Sequence, residues 1–149
     1  MILILLVAAA VVTAERLIKA YVETEGENWR GKMLGGNLQR EKVYNPGLIL
    51  GFLKKKQVFA NILSGAAVLT VAVYAVVRSI KGMTLAAKLG FGLFLGGAIS
   101  NLAERITSRH VTDYFSFCRA LPKKLRRVVF NLADICIFVG AVIAAIFES

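Results

Sequence analysis

The chain is short of the residues that most soluble enzymes use for chemistry. Its 149 residues include two cysteines and one histidine, too few to build a zinc site alone or a disulfide scaffold. Cys118 and Cys136 read as small apolar residues rather than a bridge. With two prolines and no low-complexity tract, the chain does not have the composition of a disordered one. Neither standard glycine-rich phosphate loop occurs. Among nine acids only Asp113 and Asp134 are aspartates. This inventory predicts no metal and no cofactor.

Apolar residues are abundant. They make up 57% of the chain, charged residues 19%, and the mean hydropathy is +0.66. An average soluble domain is about 45–50% apolar and about 25% charged. The apolar excess sits in four blocks: about 2–22, 58–77, 83–102 and 128–147. Each approaches the roughly 20 residues that cross a bilayer as a helix, and only helices or closed barrels satisfy every backbone group in lipid. The first block also borders on a signal peptide with Thr13-Ala14 near its cleavage point. No basic residue precedes Arg16, however, which favours an uncleaved span. From Ile2 to Val22 it would rise about 31 Å. Block three is rich in glycine (Gly90, Gly92, Gly96, Gly97), which lets helices approach closely.

The expected fold is an all-α membrane protein, a single integral domain over 1–149. Four transmembrane helices are joined by a short turn at 78–82 and two longer connections at about 23–57 and 103–127. The segment 23–57 is too long for a bare turn. Lys42-Val43-Tyr44 reads as a short strand, so this segment is expected to form a small β-rich cradle on the membrane surface.

The net charge of +10 suggests nucleic acid in a soluble protein. Here the basic residues lie between apolar blocks and are not interleaved with aromatics, so they read as membrane flanks that meet lipid headgroups. No nucleic acid is expected. Of the 19 Lys and Arg, only Arg78, Lys81 and Lys88 lie in 78–88. The positive-inside rule therefore puts the long connections in the cytoplasm.

Asp113 follows the third block and Asp134 lies one to two turns into the fourth. A carboxylate inside a span costs roughly 2.5–3.5 kcal/mol on insertion scales and normally marks a function or a pairing. If spans three and four are neighbours, both carboxyls reach one depth and one face. Two carboxyls in a dry site do not both ionise easily, so one keeps a proton while the other acts as base. Such a pair can activate water against a peptide carbonyl without metal or nucleophilic side chain. On spacing alone, a buried ion pair of Asp134 with Arg105 or Lys19 is the stronger reading; a proton-carrying role for Asp134 in a small transporter is the weakest, since four spans show no evident repeat. Other polar residues gather at the same end: Asn101, Glu104, Arg105, Asn131, the i,i+4 pair Glu15 and Lys19, and Asn45 with Gly47. Amides can hold a peptide backbone, and Arg105 can orient a carboxylate. His110 and Trp29 give weaker signals, the latter as a membrane-interface residue.

In this order these residues resemble the lipoprotein signal peptidases, the type II signal peptidases of bacteria. Asn45-Pro46-Gly47, with Gly51 downstream, resembles the family's asparagine–glycine segment. Ser100-Asn101-Leu102-Ala103-Glu104-Arg105 resembles GNLIDR, Val111-Thr112-Asp113-Tyr114 resembles VVDF, and Phe130-Asn131-Leu132-Ala133-Asp134 matches FNxAD in full. The chain departs from the family at Glu15 and Glu104, where the family has Asp, at Ser100 for Gly, at Leu50 for Phe and at Ile135 for Ser.

The resemblance implies an intramembrane aspartyl endopeptidase. It would remove the signal peptide from diacylglyceryl-modified prolipoproteins, cutting before the lipidated cysteine, with Asp113 and Asp134 as its catalytic pair. Asn45, Gly47, Asn101, Arg105, Asn131, Lys19, Glu15 and Glu104 would bind substrate or support the pair. It also implies a monomer in the bacterial cytoplasmic membrane, with its active site toward the extracytoplasmic face, against the charge count. The departures raise one alternative: a weak or inactive relative that binds lipoproteins or lipopeptides.

Overall fold

The structure, a computed structural model, describes residues 1–46, 57–117 and 128–148. Among the described residues four α-helices and four strands follow in the order α1 (Ile2–Glu25), β1 (Gly31–Met33), β2 (Leu38–Asn45), α2 (Gln57–Lys81), α3 (Leu85–Ser108), β3 (Val111–Phe117), β4 (Val129–Phe130) and α4 (Leu132–Phe147).

Helix α3 is the hub, because its small residues lie on two faces. Gly92 and Gly96 face α1: a Cβ on Gly96 would lie 2.8 Å from the Ala8 carbonyl oxygen. Gly90 and Gly97 face α4: a Cβ on Gly90 would lie 2.7 Å from the Ala144 nitrogen. Small residues on these faces let the helix backbones approach closely. Helix α1 answers with one buried stripe, Ile4, Val11, Glu15, Lys19 and Val22, at the spacing of a single helix face. Helix α2 packs mainly on α3 and buries only Ala60 and Ala75. It exposes Val58, Ile62, Leu69, Val73 and Ile80, an apolar face that water would not tolerate and lipid would.

Of the four expected spans, α2 and α3 have the length and apolarity to cross a bilayer by themselves, with mean hydropathies of 2.0 and 1.4. Helix α1 has 24 residues but carries Glu15, Arg16 and Lys19. The fourth block is shorter as a helix than its hydropathy indicates, because α4 has 16 residues. It starts at Leu132 because Val129 and Phe130 are drawn into a strand and Asn131 caps the helix. Helix α3 begins at Leu85, where the Thr84 hydroxyl accepts from the Ala87 nitrogen at 3.1 Å, and continues past 102 to Ser108.

The expected surface cradle is a four-stranded antiparallel sheet in the order β1-β2-β3-β4. Segment 23–57 supplies only β1 and β2. Strand β3 comes from the second long connection and β4 from the start of the fourth block, so the cradle does not lie between α1 and α2 alone. Lys42, Val43 and Tyr44 lie in β2, where Val43 pairs with Asp113 and Asn45 with Val111. The sheet lies at one end of the bundle. At the other end the Met1 amine donates to the Ser79 hydroxyl at 2.9 Å, the Thr84 hydroxyl donates to the Phe147 carbonyl at 3.0 Å, and Arg78 pairs with Glu148.

Candidate active site

The two aspartates come from different kinds of element. Asp113 lies on β3, which leaves α3 through a tight reversal at Arg109 (φ 62°). Asp134 lies in the first turn of α4, nearer the helix start than the one to two turns expected. Strand β4 runs antiparallel to β3, with Phe130 opposite Phe115 and Val129 opposite Ser116. The chain leaving Phe130 is therefore returned alongside Tyr114 and Asp113, and the next residue, Asn131, arrives between the two aspartates.

Asn131 touches both of them. Its side-chain nitrogen donates to Asp113 Oδ1 at 2.7 Å, while its side-chain oxygen accepts from the Asp134 backbone nitrogen at 2.8 Å. The Asp134 carboxylate answers by accepting from the Asn131 backbone nitrogen at 3.3 Å. This is a capping box, which satisfies two of the free N–H groups at the start of α4. The residue that caps the helix is thus also the residue that holds Asp113, and it is fully buried.

Each carboxylate has a second amide donor. Asn45 Nδ2 donates to Asp113 Oδ2 at 3.1 Å, and Asn101 Nδ2 donates to Asp134 Oδ1 at 2.9 Å. Asp113 is 4% exposed, whereas Asp134 is half-buried. Burial and the charge of Asp134 push Asp113 up to about 7, against the pull of the Asn45 and Asn131 donors. Two neighbouring carboxyls of this kind titrate as a pair, and near neutral pH one proton on the Asp113 side is the expected state.

Lys19 does not pair with Asp134. It lies 2.9 Å from Glu15 Oε1, donates to Glu104 Oε2 at 2.6 Å and reaches Asn101 Oδ1 at 3.4 Å. Arg105 also makes no ion pair with Asp134 among the described residues. Its charge acts on Asp113, Asp134 and Glu104, it is 7% exposed, and its Nε has no hydrogen-bond partner. The buried ion-pair alternative for Asp134 therefore gives way to amide and backbone bonds.

The structure brings Asn45, Asn101, Asn131, Lys19, Glu15 and Glu104 into one network with the two aspartates, and Arg105 within their field. Gly47 lies outside the described residues, as does Cys118. Cys136 is free and buried. His110 does not join the network among the described residues; its ring lies tilted against that of Tyr44, 4.5 Å between centroids. Trp29 donates from its indole to the Tyr114 carbonyl at 2.9 Å, with the Arg40 guanidinium 5.1 Å above its ring.

Thr112 and Tyr114 enter the site as more than motif letters. The Thr112 nitrogen and hydroxyl both donate to Glu104 Oε1, at 3.0 and 2.7 Å. The Tyr114 hydroxyl donates to Glu15 Oε2 at 2.9 Å and accepts from the Leu132 nitrogen at 2.8 Å. Burial and Glu15 push that hydroxyl above the usual tyrosine range, so it stays a proton donor. The available signal was position: hydroxyl residues on either side of an aspartate that must be held still.

The family model described as signal peptidase (SPase) II matches residues 7–148. A lipoprotein signal peptidase of Moorella thermoacetica is 31% identical over 141 residues, 93% of this chain and 87% of that protein. Another from Mesorhizobium japonicum is 30% identical over 144 residues, 96% of this chain and 83% of the relative. A solved bacterial membrane enzyme, 20% identical, shares the fold with a TM-score of 0.79 over 96% of this chain and 90% of its own. With a family model spanning nearly the whole chain and relatives at this identity over most of it, the chain belongs to the signal peptidase II family of bacterial membrane aspartic peptidases.

Proposed function

We propose that this chain is an intramembrane aspartyl endopeptidase that removes the signal peptide from diacylglyceryl-modified prolipoproteins, cutting just before the lipidated cysteine. One observation carries the mechanism: the chain's only two aspartates are held to one another by a single residue, Asn131. The names of the relatives support the substrate class.

The chemistry runs on one proton shared by two carboxyls. Asp113, pushed up to about 7, holds the proton in the resting site. Asp134, the more open of the two, takes a proton from water as the water oxygen bonds to the scissile carbonyl carbon. Asp113 gives its proton to the leaving nitrogen as the carbon–nitrogen bond breaks. The proton gained by Asp134 restores the pair for the next turn. Arg105, buried with a free Nε, offers a fixed donor to a substrate carbonyl. Asn45 and Asn101 keep the carboxyls in place.

In this reading all four helices cross the cytoplasmic membrane, α1 and α4 shielded by α3. The chain acts as a monomer among membrane lipids, and the sheet lies on the extracytoplasmic face, where a translocated substrate presents its cysteine. The basic residues beside the sheet then face anionic headgroups rather than the cytoplasm.

The test is direct. Detergent-purified protein is incubated with a diacylated prolipoprotein, with Asp113→Asn alongside, and the mass of the released peptide is read. Cleavage before the lipidated cysteine by the wild type only is the expected result. No cleavage by folded wild type, or equal cleavage by the variant, overturns the reading.

A further inference from the structure

The chain departs from the family's motifs around Asp113 in four places, and the structure joins them in two pairs. Where the GNLIDR segment has Asp and VVDF has a second Val, this chain has Glu104 and Thr112, and the Thr112 hydroxyl donates to Glu104 at 2.7 Å. Where the family has a first-span Asp and a Phe after the VVDF aspartate, this chain has Glu15 and Tyr114, and the Tyr114 hydroxyl donates to Glu15 at 2.9 Å. Each longer carboxylate meets a hydroxyl that the family motif lacks.

Both glutamates also converge on Lys19, at 2.9 and 2.6 Å. The bonds close a loop. Thr112 is held by Glu104, Glu104 by Lys19, Lys19 by Glu15, and Glu15 by Tyr114. Thr112 and Tyr114 are the two chain neighbours of Asp113. The clamp therefore grips β3 on both sides of the aspartate from α1 and α3. A second arm reaches α4, because Tyr114 accepts from the Leu132 nitrogen, next to Asn131. The glutamate oxygens are deep: the Glu15 side chain is fully buried and that of Glu104 is 19% exposed. A buried carboxylate oxygen left without a donor is costly: the Tyr114 hydroxyl is the donor to Glu15 Oε2, and the Thr112 hydroxyl shares Glu104 Oε1 with the Thr112 backbone nitrogen.

We infer that Glu15 with Tyr114, and Glu104 with Thr112, are matched positioning pairs that set the reach of Asp113 toward Asp134, each pair exchangeable for the family's residues only as a unit. This rests on the aspartyl peptidase reading above. The added methylene of glutamate is taken up by the hydroxyl, so neither partner alone fits its counterpart's family form.

Two double-substitution cycles test this. The first compares Glu104→Asp, Thr112→Val and the two together; the second compares Glu15→Asp, Tyr114→Phe and the two together. Cleavage of a diacylated prolipoprotein gives kcat and KM for each, and thermal unfolding in detergent is followed in parallel. Neighbouring, interacting residues couple by roughly threefold to a hundredfold in such cycles. The expected result is that each single substitution lowers kcat with KM little changed, and that each double recovers at least about fivefold relative to the product of its singles. Recovery in kcat is the part that a purely structural contact does not give. Thr112→Val keeps the backbone bond to Glu104, so it removes one hydroxyl and leaves the strand anchored. Doubles that equal the product of their singles overturn the pairing. Should wild type cut nothing, the reading of the site falls instead, and the pairing is judged by the same cycles in thermal unfolding, where coupling upholds it and additivity overturns it.

Discussion

Replacing Asp113 with asparagine separates the cost of this buried acid from its hydrogen bonds. In the folded protein burial and the charge of Asp134 push Asp113 up to about 7, against an ordinary 3.8. Between those values the folded state holds a proton that the unfolded chain has lost. The stability this contributes is fully present below about 4 and is lost as pH rises through about 7. At about 1.4 kcal/mol per tenfold, the gap amounts to on the order of 4 kcal/mol. Asp113→Asn has no proton to lose, so its stability does not follow this slope. It has its own cost, independent of pH. Asn45 and Asn131 both present N–H donors to the carboxylate, and an amide can answer only one with its oxygen. The other donor meets an NH2 group, a loss of about 1–3 kcal/mol. The variant is therefore expected to melt below wild type at pH 4.5 and level with it or above it at pH 8. With about 2–4 °C per kcal/mol for a chain of this size, the difference between the two melting temperatures should swing by on the order of 10 °C. The assay is thermal unfolding in detergent at both pH values. A constant difference refutes the assignment of the raised proton affinity to Asp113.

The same proton predicts the rate profile: kcat falls as pH rises past about 7, because Asp113 no longer has a proton for the leaving nitrogen, and a plateau to pH 9 would contradict it. Asn131→Ala removes a helix cap worth about 0.5–2 kcal/mol and the bond to Asp113, so both the melting temperature and kcat should drop. Gly97→Ala places a Cβ 3.0 Å from Ile137 Cγ1 and against the Ala133 carbonyl; the overpacking costs about 1–3 kcal/mol and should lower kcat by shifting the turn that carries Asp134. Treatment with EDTA leaves cleavage unchanged, and loss of activity would count against an acid–base pair working without metal.

Hydropathy located the starts of α2 and α3 closely, since a long apolar run has few other uses, but it ended α3 at 102 where the helix runs on to Ser108. It erred at α4, where Val129 and Phe130 look like helix by hydropathy but pair with β3. Only Asn131, a polar residue in an apolar run, hinted at the boundary. Strand β3 was hidden behind its own motif, and neither it nor β4 lies in the 23–57 segment expected to form the sheet. The Glu15–Lys19 pair was visible as an i,i+4 spacing. That Lys19 also holds Glu104, 85 positions away, was not, because no local rule links α1 to the end of α3.

The sequence by itself determined the apolar helices and the two residues on which acid–base chemistry can rest. Apolar length, glycine faces and the scarcity of aspartate are properties of composition and local order. The tertiary structure decided how those residues meet. The close approaches of α1 and α4 to the glycine faces of α3 bring Lys19, Glu104 and Asn101 together. The pairing of β4 with β3 returns Asn131 to Asp113. Contacts of this kind depend on where helices cross and which strand lies beside which, and crossing and pairing are set by the packed molecule as a whole.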